Sequence, residues 1–203
     1  MSAVTKSVPF AVLRHAPTVW NGEKRLQGMS DTPLSPDGEA LARTWRLPPP
    51  ADGWRRFSSP LLRARCTAEL LQPGAPVTID SRLREMSFGV WEGLSIAELR
   101  STIGQRFIEA EARGLDFEPP GGESPRRVMT RLSGFAAELA TSGQPAVIVA
   151  HKAVLRALLA LATGWTMTGR QPVKLDWHCL HYFRAAADGA VTLDQPNVKL
   201  AGQ

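Results

Sequence analysis

Three short stretches of the chain place arginine or histidine at the end of an apolar run. Arg14-His15 follows residues 8–13, Arg63 comes at the end of Ser58-Ser59-Pro60-Leu61-Leu62-Arg63 after the run 54–58, and His151-Lys152 follows Ala146 to Ala150. A core has no use for a permanent cation beside a histidine, whereas an anion-binding site has. Two arginines and two histidines suit a phosphoryl group, because its transfer depends on positioning and on neutralising three equatorial oxygens. Arginine offers paired N–H donors to such oxygens, and a helix start after His151 adds backbone N–H groups. A neutral histidine can attack phosphorus in line and divide one hard step into two easier ones. The leaving alkoxide then needs a proton, which a nearby carboxylic acid can give. Taken singly, each residue has a plainer reading: His15 as a core histidine, Arg63 as a solvated helix residue, His151 as part of a first helical turn. The site is argued from their convergence.

Convergence requires that the elements carrying these residues lie side by side. Runs at 8–13, 54–58, 146–150, 178–184 and 190–194 predict strands. Periodicity predicts helices over 36–46, opened by Pro36-Asp37, and over 61–72, 95–112, 123–141 and 152–162. Proline and glycine clusters at 48–53, 73–76 and 119–125 read as loops within a single domain over residues 1–203. The alternation predicts an α/β fold, a three-layer sandwich with a mainly parallel central sheet flanked by helices. In such sheets ligands bind beyond the carboxyl ends of the strands, where all three stretches fall.

Composition narrows the setting. The 203 residues are 43% hydrophobic and 21% charged, as in an ordinary globular protein. The net charge of +5 comes mostly from arginine, the better fork for carboxylate and phosphate, although a coding bias toward arginine would give the same balance. Two cysteines, Cys66 and Cys179, make neither a disulfide framework nor a zinc site. The opening MSAVTKSVPF has no leader pattern, and no apolar window reaches the roughly 18 residues of a membrane span. A cytoplasmic protein with no membrane partner is expected. His178 and His181, if on one strand, face opposite ways and make no metal pair. With neither an acidic ligand run nor a glycine-lysine phosphate loop, no metal and no cofactor are expected.

Longer stretches resemble the histidine phosphatase superfamily, also called the phosphoglycerate-mutase-like fold. The family's Arg-His-Gly-x-Thr stands here as Arg14-His15-Ala16-Pro17-Thr18, followed by Trp20-Asn21 and by Arg25-Leu26-Gln27-Gly28. Asp31-Thr32-Pro33-Leu34-Ser35, Pro36-Asp37-Gly38 and Ser58 to Ala64 continue the pattern. Leu83-Arg84-Glu85-Met86-Ser87-Phe88-Gly89-Val90-Trp91-Glu92-Gly93 is similar to the segment that carries the general acid, and Pro120-Gly121-Gly122-Glu123-Ser124 to the loop before the long helix. The resemblance implies His15 as nucleophile, with Arg14, Arg63 and His151 as the phosphate pocket and Glu85, rather than Glu92, as proton donor and later base. It implies substrate contacts from Asn21, Thr18, Gln27, Gly28 and Lys152, and a lid over about residues 85–125. Phe88 and Trp91 are candidates for an apolar wall beside Glu85. Trp20, Trp91, Phe107 and Phe117 hint at an apolar or aromatic leaving group, although such residues are more often core.

The chain departs from the family pattern at Ala16, Pro17 and Lys152. Ala16 should leave its loop intact if the backbone keeps a negative φ, while Pro17 removes an N–H donor. Lys152 either adds a cation near the phosphate or points to solvent. The implied activity is a metal-independent phosphomonoesterase acting through phosphohistidine on a small phosphorylated metabolite. The segment 83–93 looks most like α-ribazole-5′-phosphate phosphatases and broad-specificity members. A phosphoglycerate mutase is the second enzyme reading, disfavoured by the lack of long insertions. A phosphate- or nucleic-acid-binding adaptor is the non-enzymatic one, weakened because the arginines are scattered, with only short pairs such as Arg55-Arg56 and Arg126-Arg127. The oligomeric state stays open, a dimer being one candidate.

Overall fold

The computed structural model describes residues 7–201, so the leader reading of residues 1–6 lies outside the described residues. Alternation along two strands organises the layers. In β1 (Val8–Arg14) and β4 (Ala146–Ala150), Phe10, Val12, Ala146, Ile148 and Ala150 belong to one core cluster, and Ala11, Leu13, Val147 and Val149 to another. Successive residues of a strand point to opposite faces, so both faces of this sheet need cover. Helices α6 (Pro125–Ser142) and α7 (Lys152–Thr163) cover the first face. Helices α2 (Pro36–Thr44) and α3 (Leu62–Leu71), with the fully buried Trp45, cover the second. The result is the three-layer α/β sandwich expected from the sequence.

The sheet is completed by β2 (Arg55–Ser58), β3 (Thr78–Ile79), β5 (Leu180–Ala185) and β6 (Val191–Val198), in the order β3-β2-β4-β1-β5-β6. From β3 to β1 every pairing is parallel, whereas β5 and β6 join antiparallel at one edge. Local chemistry starts the helices where they start. Ser35 and Ser124 accept the amides of Gly38 and Arg127, each ahead of a proline in the first turn.

Three sequence expectations need correction. The single helix over 95–112 is two, α4 (Ile96–Ile103) and α5 (Gln105–Glu111), because Gly104 takes a φ of +46° that breaks the ladder. Strand 178–184 begins at Leu180, since Asp176 turns the chain, its carboxylate accepting from the His178 amide at 3.0 Å and its carbonyl from Cys179 at 3.2 Å. His178 therefore sits in a turn, and the opposite-face argument does not apply to it. The ring of His181 is held by backbone at both nitrogens, Nε2 on the Asp176 carbonyl at 3.0 Å and Nδ1 on the Asn197 amide at 3.2 Å. The third correction is the edge strand β6, which runs to Val198 rather than 194 and accommodates Pro196 because one side of an edge needs no donor. A short helix α1 (Val19–Gly22) and the two-residue β3 went unread.

Residues 85–125 wrap a small core of their own, in which Trp91, Leu99 and Phe107 are buried. It is tied back to the body through Leu115, whose amide donates to the Thr166 carbonyl at 3.0 Å. Cys66 and Cys179 are free thiols, and among the described residues no helix is long and apolar enough to cross a membrane.

Candidate active site

Strand register gathers the three stretches. Arg14 pairs with Ala150 across β1 and β4, and Ser58 pairs with Val149 across β2 and β4. The next residues therefore leave the sheet side by side: the His15 amide donates to Ala150 at 2.9 Å and the Ser59 amide to Val149 at 3.0 Å. The rings of His15 and His151 come to 5.2 Å between centroids. Above them opens a cleft of about 670 Å³, walled by Arg14, His15, Arg63 and Glu85 on the sheet side and by Phe88, Phe107 and Phe117 of the overlying segment.

His15 is buried, and its Nδ1 lies 2.7 Å from the Ala16 carbonyl. A carbonyl only accepts, so Nδ1 carries the proton and Nε2 keeps its lone pair. Burial pushes the imidazole pKa well below its ordinary value, and the charges of Arg14 and Arg63 push it further, so the ring stays neutral. A neutral imidazole with a free Nε2 is the nucleophilic form. Ala16 is fully buried in the second core cluster, its amide donating to Thr67 Oγ1 at 3.0 Å, and it is not among the residues with positive φ. The extra methyl thus sits in the core at no backbone cost. Pro17 offers its carbonyl to the Ser35 amide at 3.0 Å, which anchors the loop.

The cations differ in how they are held. Arg14 has no hydrogen-bond or ion-pair partner among the described residues, and its Nε is buried unpaired. Arg63 is fully buried; Nη1 donates to the Ser30 carbonyl and Nη2 to the Gly28 carbonyl, each at 2.8 Å, while Nε stays unpaired. Burial lowers the pKa of both guanidiniums, and Glu85 opposes the change. His151 is fully buried behind His15 and is not part of the cleft wall. Its Nε2 lies 2.7 Å from Ser59 Oγ, its Nδ1 has no partner, and burial with the charge of Arg63 keeps it neutral.

Glu85 is buried on the cleft wall. Its Oε1 accepts from the Met86 amide at 2.9 Å and from the Ala153 amide, in the first turn of α7, at 3.2 Å. Burial raises its pKa against the pull of those amides and of Arg63, which favours the protonated acid. Glu92 has a different position. Oε1 accepts from the amides of Met29 and Phe88 at 2.9 and 3.1 Å, and Oε2 from the amide and hydroxyl of Ser30 at 2.8 and 2.7 Å. Saturated in this way, Glu92 clamps the very loop whose carbonyls hold Arg63. Gly28 has a φ of +51°, and a Cβ there would collide with Glu92 Oε1.

The remaining sequence candidates divide. Asn21, Gln27 and Lys152 line the cleft, whereas Thr18 and Gly28 do not. Thr18 caps α1 in a reciprocal pair with Asn21, whose Oδ1 accepts from the Thr18 amide at 3.0 Å. Phe88, Phe107 and Phe117 face the cleft, while Trp20 and Trp91 do not; Trp91 packs on Phe107 with ring centroids 5.4 Å apart. Sequence reasoning missed Ser59 as the partner of His151 and Arg156 as a further cation on the wall. It also missed the buried pair of Arg131 with Glu123 at 2.9 Å, which braces residues 82–85 through the carbonyls of Arg82 and Glu85. Arg156 carried a legible signal, one helical turn beyond Lys152. Among the described residues no three His, Cys, Asp or Glu side chains gather as a metal-binding group.

A neutral histidine flanked by two guanidiniums with no carboxylate bound to them, and by a carboxyl biased toward its acid form, at the carboxyl ends of a parallel sheet, is the equipment of a phosphoryl-handling enzyme. Residues 10–197 match the model of the histidine phosphatase superfamily (branch 1), and the chain belongs to that family. Phosphatase is the enzyme class this membership gives. The chain is 29% identical over 194 residues to the 2,3-bisphosphoglycerate-dependent phosphoglycerate mutase 2 of Gloeobacter violaceus, covering 89% of this chain and 87% of that one. It is 34% identical over 158 residues to the 2-carboxy-D-arabinitol-1-phosphatase of Triticum aestivum, covering 75% of this chain but only 32% of the plant protein. A mycobacterial glucosyl-3-phosphoglycerate phosphatase superposes with a TM-score of 0.77 at 26% identity, covering 95% of this chain and 99% of that one.

Proposed function

We propose that the protein hydrolyses small phosphomonoesters without a metal, through a phosphohistidine on His15. The observation that carries this reading is the state of His15: Nδ1 committed to the Ala16 carbonyl at 2.7 Å, Nε2 free, and the ring kept neutral by burial beside Arg14 and Arg63. In the first step the Nε2 lone pair forms a bond to phosphorus as the ester P–O bond breaks, and the departing alkoxide takes the proton of Glu85. Arg14 and Arg63 offset the charge on the equatorial oxygens. In the second step the Glu85 carboxylate takes a proton from water as the water oxygen bonds to phosphorus. The N–P bond breaks, which returns neutral His15 and inorganic phosphate.

A simple aryl phosphate tests this directly. Turnover in excess EDTA, an acid-labile phosphoryl adduct on rapid quenching, and loss of both in His15→Ala are expected. EDTA-sensitive turnover that survives His15→Ala would overturn the reading. The resemblance to a mutase supports a second reading, phosphoryl return to substrate. Interconversion of 3- and 2-phosphoglycerate faster than phosphate release would favour it. An α-ribazole 5′-phosphate substrate requires turnover well above that of the aryl phosphate.

A further inference from the structure

Away from the cleft, several arginines in this protein find carboxylates. Arg82 meets Asp80 at 2.6 Å, Arg126 meets Asp116 at 2.7 Å, and Arg131 meets Glu123 at 2.9 Å. Inside the cleft, among the described residues, six lysine or arginine side chains stand on the wall against two carboxylates, Glu85 and Glu111. Both acids attract Arg156 through space, but neither forms a salt bridge with Lys152 or Arg156. Glu85 is poised to be protonated, and Glu111 already receives Arg100 at 3.1 Å. Of the cations, Arg25 is engaged by Glu23 at 2.6 Å, and Arg14 and Arg63 serve the scissile phosphate. Lys24 also lines the cleft, and Lys152 and Arg156 remain on α7.

These two residues are four apart on one helix and so share a face, one turn from each other. Each lies over an indole and makes no salt bridge among the described residues: Lys152 Nζ lies 5.3 Å from the ring centre of Trp177, and the Arg156 guanidinium 5.2 Å from that of Trp165. Trp165 is itself fixed, its Nε1 donating to the Thr168 carbonyl at 3.1 Å. An aromatic face positions a cation without cancelling its charge, so the field stays available to an incoming anion. Arg156 also keeps a buried Nε with no partner. Partial burial, and after it crowding by Arg14 and Arg156, lowers the Lys152 pKa against the pull of Glu85. That repulsion costs the empty protein stability and is relieved when an anion binds. Lys152 occupies the position after the second histidine where the family pattern has glycine, so the device belongs to this chain's own departure.

We infer that Lys152 and Arg156 form a second anion subsite, so that the preferred substrates are phosphomonoesters bearing another anionic group, a carboxylate or a second phosphate. The inference rests on the phosphatase reading of the same cleft and adds the substrate class.

The test uses the full-length protein and matched pairs of probes. Phosphate esters of straight-chain hydroxy acids of increasing length are compared with their methyl esters, and alkanediol bisphosphates with the corresponding monophosphates. At one length the charged member should exceed its neutral partner in kcat/KM by about tenfold or more, as a charge-assisted contact provides, and high KCl should shrink the preference. The series that responds tells carboxylate from phosphate. Lys152→Met combined with Arg156→Gln should bring the ratio close to one, and restoring only a cation with Arg156→Lys should recover part of it. A wild-type ratio at or below one, or a ratio that survives the double substitution, would overturn the subsite. Should the double variant lose its cooperative melt, Lys152→Met alone, at an exposed position, must still lower the ratio. Non-hydrolysable carboxyalkyl and alkyl phosphonates, compared by calorimetry, separate the two readings. A binding preference without ester turnover keeps the subsite and removes the phosphatase; turnover without preference does the reverse.

Discussion

The floor and the roof of the cleft contrast in what holds them. The floor is set by β1, β2 and β4, of which β4 is buried along its whole length between parallel neighbours. His15 and His151 leave adjacent strand ends, so their proximity is fixed by backbone register. The roof, residues 85–125, has a small cluster of three buried side chains, Trp91, Leu99 and Phe107, joined to the main core through Phe88 and Phe117, and leaves Val90 and Ile108 exposed. Small cores are marginal, and elements with few buried contacts open first. On the proposed reading, chemistry belongs to the floor, whose over-determined scaffold holds buried cations without carboxylate partners, and substrate selection to the roof and to the rim on α7.

The largest effect within that contrast should come from Glu85, the one residue of the roof segment that belongs chemically to the floor. Glu85→Gln keeps the shape and loses the transferable proton, so kcat on alkyl phosphates should fall by about 10² to 10⁴-fold. Esters whose leaving group needs no proton, such as 4-nitrophenyl phosphate, should lose far less. The raised pKa of Glu85 also has a stability consequence of defined sign. A carboxyl whose folded pKa exceeds its unfolded value stabilises the fold fully below the unfolded pKa, and that contribution is lost as pH rises through the folded pKa. At neutral pH, where the unfolded carboxyl is ionised, burying Glu85 is therefore a burden, and Glu85→Gln should melt higher than wild type there, with the advantage vanishing in acid. Equal melting at neutral pH would mean that the carboxyl is not desolvated as the geometry requires.

Glu92→Gln should act one step away from the reaction. The clamp accepts amides of Met29, Ser30 and Phe88, and the loop it fixes presents the carbonyls of Gly28 and Ser30 to Arg63. An amide cannot accept at both positions, so Arg63 should lose its seat and inorganic phosphate should inhibit more weakly, by about tenfold, as loss of one charged contact implies. The pH profile should keep its shape, because the proton donor is untouched. A changed profile would show that Glu92, rather than Glu85, supplies the proton.

The floor was largely legible in the sequence and the roof was not, for a physical reason. The continuous apolar runs at 8–13 and 146–150 stand out in the sequence because both faces of those strands are covered, and a parallel sheet then dictates where Arg14, His15 and His151 emerge. Arg63 could be placed by the same logic. The break at Gly104 was hidden because apolar spacing continues through it, and only the backbone angle marks the division. Arg156 and Ser59 were missed because their roles come from contacts with Trp165 and His151, far away along the chain. Thr18 and Gly28 fall outside the cleft wall, and capping and close approach also select threonine and glycine.

The smallest effect on turnover, and the sharpest test of the contrast, should come from Phe107→Ala. In a domain core such a truncation costs about 3–5 kcal/mol of global stability. Phe107 is buried, but its buried neighbours Trp91 and Leu99 belong to the roof alone. If the roof opens by itself, the loss should appear as faster amide exchange and proteolysis over residues 96–117, with little change in the melting of the sheet. Turnover of a small aryl phosphate should then shift only a few-fold, mostly in KM, because His15, Arg14 and Arg63 keep their places. A global melt lowered as far as by Val12→Ala in the sheet would show that roof and floor fold as one unit. In that case the phenylalanine would be holding the strand ends together as well as lining the cleft, through the Leu115–Thr166 link and the packing of Phe117 against Trp91.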